Sequence, residues 1–240
     1  MSTPTQSAGR PWPVLDLLER RVLGVLVEKA KTTAEAYPLS VNALTAGCNQ
    51  KSNRDPPTSL EDVEVEDTLA RLQKGGLVMR VTGASSRVER WRHLLYDTWH
   101  LDRVDLAILA ELLLRGPQTE GELRTRASRM EPFNDLGSLR KALEPLVKRG
   151  LVVYLTPLGR RGTTLTHGFH APDELERLRK GHGEADADEP PAPRPAPASP
   201  PEVAQLRQEV EGLRAEVAAL AEAVAKLTEQ VREVRQGLGL

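Results

Sequence analysis

Leu69-Ala70-Arg71-Leu72-Gln73-Lys74-Gly75-Gly76-Leu77-Val78 reads as the end of a helix running into a strand. Its leucines keep one helical face apolar, and the glycine pair stops the helix. The string has an echo. Leu143-Glu144-Pro145-Leu146-Val147-Lys148-Arg149-Gly150-Leu151-Val152 repeats its Leu, Leu, Lys, Gly, Leu and Val at a constant offset. Chance yields one such junction. The same order of elements around both makes duplication the better account.

Upstream of the first copy, residues 14–31 carry Leu15, Leu18, Val22, Val25 and Leu26 at helical spacing, with Glu19, Arg20, Glu28 and Lys29 filling the rest. Ser40 is placed to cap a second helix bearing Val41, Leu44 and Cys48 on one face. A third helix is expected over 59–74, capped by Ser59, with Glu61, Asp62 and Glu64 where the helix dipole favours anions. Residues 77–82 and 87–96 read as two strands around the turn 83–86. Around the second copy, 105–115, 119–128 and 136–148 read as helices, with Thr119 and Glu122 as a capping box. Residues 151–155 and 163–169 read as strands, and 171–180 as a short extra helix. Helix, helix, helix, hairpin is the element order of a winged-helix domain. The expectation is a mainly α chain with small β-hairpins, made of two tandem winged-helix domains at 14–100 and 101–180.

The rest of the 240-residue chain divides by composition. Residues 1–13 are polar and proline-bearing, expected to be disordered and unlike a secretory signal. Residues 181–201 are rich in Pro, Ala, Asp and Glu, the composition of a disordered spacer. Over 202–237, Val203, Leu206, Val210, Leu213, Val217, Leu220, Val224, Leu227, Val231 and Val234 alternate steps of three and four. β-Branched a positions with Leu at d favour a parallel two-stranded coiled coil, with a trimer as the alternative. The expected partner there is a second copy of the chain. No stretch reaches the length of a membrane span, so the expected place is the cytoplasm. The lone Cys48 excludes an internal disulfide and a cysteine-based zinc site.

The segment 37–56 ends in a loop too rich in polar groups for a plain connector. Asn49, Gln50, Lys51, Asn53 and Arg54 are read either as a working surface for phosphates or a protein partner, or as groups tying their own backbone into turns. The net charge is -1, so any basic surface is local. In the second domain Arg124, Arg126 and Arg129 lie on or after the second helix, Arg140 and Lys141 on the third, and Arg160 and Arg161 at the hairpin tip. These are candidates for contact with double-stranded DNA. Their plain alternative is a solvated face of helix-pairing salt bridges. The third helix of the first domain is acidic, which phosphates would repel. In that domain's hairpin, Arg87, Arg90 and Arg92 are basic, and Trp91 is read as core rather than as a stacking platform.

Several strings now quoted resemble the bacterial YceH family of tandem winged-helix proteins. They are Tyr37-Pro-Leu-Ser-Val-Asn42, Cys48-Asn-Gln-Lys-Ser-Asn-Arg-Asp-Pro56, Leu112-Leu-Leu-Arg-Gly-Pro-Gln-Thr119, Gly121-Glu-Leu-Arg124 and Ser128-Arg-Met130. The resemblance spans about residues 14–170 and implies architecture alone. Glu120 stands where the family pattern has proline. Three functions are then weighed: a DNA-binding regulator first, a protein-interaction adaptor second, an enzyme last. No phosphate loop, metal-ligand spacing or local nucleophile signature supports an enzyme, and no cofactor or metal is expected.

Overall fold

The computed structural model describes residues 12–81, 89–158 and 162–184. The linker from 185 onward, the Val203–Val234 seam, Arg87, Arg160 and Arg161 lie outside the described residues. The described chain is mainly helical with two small antiparallel sheets. The first half holds α1 (Leu17–Thr32), α2 (Val41–Cys48), α3 (Asp62–Lys74), β1 (Val78–Val81) and β2 (Arg90–His93). After α4 (Leu95–Thr98), the second half holds α5 (Arg103–Arg115), β3 (Gln118–Thr119), α6 (Glu120–Ala127), α7 (Leu136–Lys148), β4 (Val152–Tyr154) and β5 (Thr164–His167). α8 (Pro172–Glu184) follows.

Both copies of the repeat end their helix the same way. Gly76 and Gly150 adopt φ of 69° and 72°, a left-handed backbone that suits glycine. Gly76 N–H donates to Gln73 O at 3.0 Å and Leu77 N–H to Leu72 O at 3.0 Å. Gly150 N–H donates to Val147 O and Leu151 N–H to Leu146 O, both at 2.9 Å. This pair of bonds is the Schellman closure that satisfies the last helical carbonyls. The repeat extends to the strands. Leu39, just before α2, bridges to Trp91 of β2. Gln118 and Thr119, just before α6, pair with Leu165 and Thr164 of β5. Ser40 and Thr119 then cap the following helices, accepting from Ala43 N–H and Glu122 N–H.

Three local expectations change. α3 starts at Asp62 after Glu61, not at Ser59. Asn49 explains the delay: its amide donates to Leu60 O and its oxygen accepts from Leu60 N–H, both at 2.8 Å. Those bonds hold the backbone of residue 60 in the loop. β2 stops at His93, because Leu94 N–H turns back to Leu77 O at 2.8 Å and α4 begins. The third correction concerns α1. Its polar positions were expected to face water, yet every residue from Arg20 to Glu28 is buried. α5 shows the same unbroken burial from Leu106 to Leu114.

The reason is that α1 and α5 pack on each other while each also carries its own half. Gly24 makes the close approach: a Cβ there would lie 2.8 Å from Leu114 Cγ. One hydrophobic core therefore runs through both halves. Among the described residues, no helix is long and apolar enough to cross a membrane.

Candidate functional site

The loop after α2 is held from beneath. Arg21, 1% exposed, donates from Nη1 to Cys48 O and Thr58 Oγ1, both at 3.1 Å, and from Nη2 to Pro56 O at 2.6 Å. It thus satisfies carbonyls that the end of α2 leaves open. Burial pushes its pKa down. Arg54 is 4% exposed. It donates to Glu28 Oε2 at 2.5 Å, Gln50 Oε1 at 2.9 Å, Gly47 O at 2.9 Å and Asn53 O at 2.8 Å.

From Glu28 the network continues into the second half. Arg129 Nη1 donates to Glu28 Oε1, and its Nη2 to Glu111 Oε2 at 3.1 Å. Arg115 Nε lies 3.1 Å from Glu111 Oε1, and its Nη2 donates to Asn53 Oδ1 at 2.6 Å. Asn53 adjoins Arg54, so the circuit closes: Glu28, Arg129, Glu111, Arg115, Asn53, Arg54. Burial alone would raise the Glu28 pKa, but the Arg54 hydrogen bond and the Arg54 and Arg129 charges hold it below the ordinary value. Burial likewise opposes the charge of Arg129, and Glu28 and Glu111 overcome it. The strings around Asn49–Pro56, Leu112–Thr119 and Ser128–Met130 are far apart in sequence, and this circuit joins them.

The expected loop surface is therefore mostly a brace. Asn49, Asn53 and Arg54 turn to the protein, and half-buried Gln50 supports Arg54. Lys51 is exposed and makes no hydrogen bond among the described residues. Arg54→Ala is expected to lower the melting temperature markedly, because it removes the buried partner of Glu28 and leaves that carboxylate to Arg129 alone. Lys51→Ala should leave it within about 0.5 kcal/mol of the parent stability, as surface changes do. The sequence carried only part of the signal: Glu28 and Glu111 sit among apolar residues, but the packing of α1 on α5 is what buries them, and buried carboxylates need cations. Cys48 is fully buried beside the brace, and burial pushes its thiol up to about 12. A disulfide exchange reagent near neutral pH should leave it unmodified in the native chain and titrate it in denaturant.

Arg126 and Arg140 sit in ion pairs of their own. Arg126 donates to Gln118 Oε1 at 2.9 Å and to Glu122 Oε1 at 3.1 Å. Arg140 holds Glu120 Oε2 at 2.6 Å, and Glu120 also accepts from the Tyr154 hydroxyl at 3.0 Å. Among the described residues, the Arg124 side chain reaches only Phe133 O, at 3.5 Å. Along α7 the exposed side chains include Arg140, Lys141, Glu144 and Lys148. Lys148 pairs with Glu144 at 2.6 Å; Lys141 has no ion pair among the described residues. The matching helix of the first half, α3, exposes Asp62, Glu64, Glu66 and Asp67. In the first hairpin Arg90 and Arg92 are exposed and Trp91 is buried, packed into the core. Among the described residues no group of three His, Cys, Asp or Glu side chains is placed to hold a metal ion.

With the geometry in view, the comparisons place the chain. It belongs to the family described as protein of unknown function, DUF480, which matches residues 15–162. A UPF0502 protein of Rhodopirellula baltica is 46% identical over 177 residues, covering 72% of this chain and 73% of that protein. A UPF0502 protein of Geotalea uraniireducens is 44% identical over 197 residues, 82% of this chain and 83% of its own length. One from Geotalea daltonii is 53% identical over 135 residues, 56% of this chain and 62% of its own length. The family indicated by the motif strings is the family found.

Proposed function

We propose that the chain is a DNA-binding regulator made of two winged-helix halves, of which the second makes the contact. One observation carries the reading: the outward face of α7 presents Arg140, Lys141 and Lys148 against Glu144, while that of α3 presents Asp62, Glu64, Glu66 and Asp67 against Arg71 and Lys74. In a winged helix the third helix enters the major groove, and its cations meet phosphates at the groove edges. α7 suits that position and α3 does not. The fused core would hold α7 rigidly, and a parallel coiled coil over 202–237 would pair two copies, giving avidity for an extended target. This reading needs neither an active site nor a cofactor, and it sets the protein in the cytoplasm.

Lys141 is the cleanest probe, because its replacement breaks no ion pair among the described residues, whereas Arg126 and Arg140 hold glutamates. Lys141→Glu should weaken duplex binding with unchanged melting temperature and reduce the salt slope by about 1. Binding left intact would remove α7 from the interface. A second reading, a protein adaptor, draws on α3, where Val63 is 56% exposed between carboxylates. Charge reversal of Asp62 and Glu66 would disturb an adaptor's partner and leave DNA binding no weaker.

A further inference from the structure

Beneath the brace, a cleft of about 200 Å3 opens where α1, the loop after α2, the end of α5, the turn after β5 and α8 meet. Leu17, Leu113 and Leu178 give it an apolar side. Arg20, Arg115, His167 and His170 give it a polar one, and the carboxylates of Asp55 and Glu174 also lie on its wall. His167 is 1% exposed and stacks on His170 with ring centroids 3.9 Å apart. Its Nδ1 accepts from Phe169 N–H at 3.2 Å, which leaves the proton of the neutral ring on Nε2. Burial pushes the His167 pKa well down.

Arg20, Arg115 and His167 each keep a donor in reserve. Arg20 uses Nε on Asp16 O and Nη1 on His170 and Glu174, and Arg115 donates from Nη2 to Asn53 while its Nε lies beside Glu111 without a hydrogen bond. Arg20 Nη2, Arg115 Nη1 and His167 Nε2 have no acceptor among the described residues. The charge balance points the same way. The brace holds Arg54, Arg115 and Arg129 against Glu28 and Glu111, three cations to two anions. Arg115 is the member of the brace that lines the cleft. Glu174 is already engaged by Arg20 and His170, at 2.9 Å each. Asp55 is exposed, and its charge acts on Arg21.

We propose that this cleft binds a small carboxylate, its headgroup taken by Arg20, Arg115 and His167 and its short apolar body laid against Leu17, Leu113 and Leu178. The inference does not depend on DNA binding. It would make the junction of the two halves an effector site, since α1, α5 and α8 all contribute to it.

The test is calorimetry on the full chain with hexanoate, inorganic phosphate and hexylammonium as probes, alongside thermal melts. Hexanoate should bind saturably, with a dissociation constant on the order of 1 mM for a ligand of about eight non-hydrogen atoms. It should also raise the melting temperature. Leu178→Trp, which fills the mouth from a partly exposed position, should weaken hexanoate at least ~10-fold. His167→Phe, which keeps the ring and removes the N–H, should weaken it too. The proposal is overturned if hexylammonium binds as well as hexanoate, if phosphate alone binds, if hexanoate gives no saturable heat, or if a folded Leu178→Trp chain binds it unchanged.

Discussion

Replacing Glu28 by alanine is expected to cost about 3–5 kcal/mol, because it leaves the buried Arg54 cation, and the partly exposed Arg129 beside it, without their shared anion. For a body of this size that is a fall of roughly 6–20 °C in melting temperature. Arg54 has no exposed side-chain surface and Glu28 only 2%, so water cannot replace the lost partner. The pH dependence gives a second readout. The Glu28 pKa is lowered on folding from an ordinary 4.5. Its contribution is therefore complete above that value and is lost as pH falls through the lower folded one. The gap between parent and Glu28→Ala should be widest near neutrality and shrink in acid. Replacing Glu28 and Arg54 together by well-packed apolar residues should cost less than the sum of the single changes, since neither charge is then left alone.

The second large effect is expected at Gly168, between β5 and Phe169. A Cβ there would lie 1.9 Å from Gly150 O, a backbone atom at the helix-to-strand turn. Neither side can yield cheaply. Gly150 sits in the left-handed turn, and Gly168 N–H donates to Leu151 O at 2.8 Å. Gly168→Ala should break that bond, part β4 from β5 and cost about 3 kcal/mol or more. Phe169, stacked on Trp99 at 4.6 Å, would be displaced with it. Gly121→Ala is the control. Nothing lies within 4 Å of a Cβ at that position in α6, so a gain of about 0.5–1 kcal/mol is expected from helix propensity. Denaturant melts of the two variants separate the cases.

Much of the fold was legible. Helix caps at Ser40 and Thr119, the glycine stops at Gly76 and Gly150, and the repeated junction around them are local signals, and local signals survive folding. The brace was not legible, for a physical reason. Helical periodicity assumes one apolar stripe and a wet face, and it sends Arg20 and Glu28 to the wet face. α1 has no wet face over Arg20–Glu28, because α5 covers what its own half leaves open. The same long-range packing turned Arg54 from a surface candidate into a buried partner and tied the partly exposed Arg129 to two buried glutamates. β3 was missed because two residues carry no strand pattern; only pairing with β5 defines it. Lys141 kept its expected exposure since nothing opposite competes for it.

The central claim is that the cationic face of α7 meets duplex DNA. Its most direct test is fluorescence anisotropy of a labelled duplex with the full chain across a salt series, parent against Lys141→Glu. The account predicts affinity that falls steeply with salt, and a variant whose log–log slope is shallower by about 1 with its melting temperature unchanged. No binding at low salt, or equal affinity and slope for parent and variant, would contradict it.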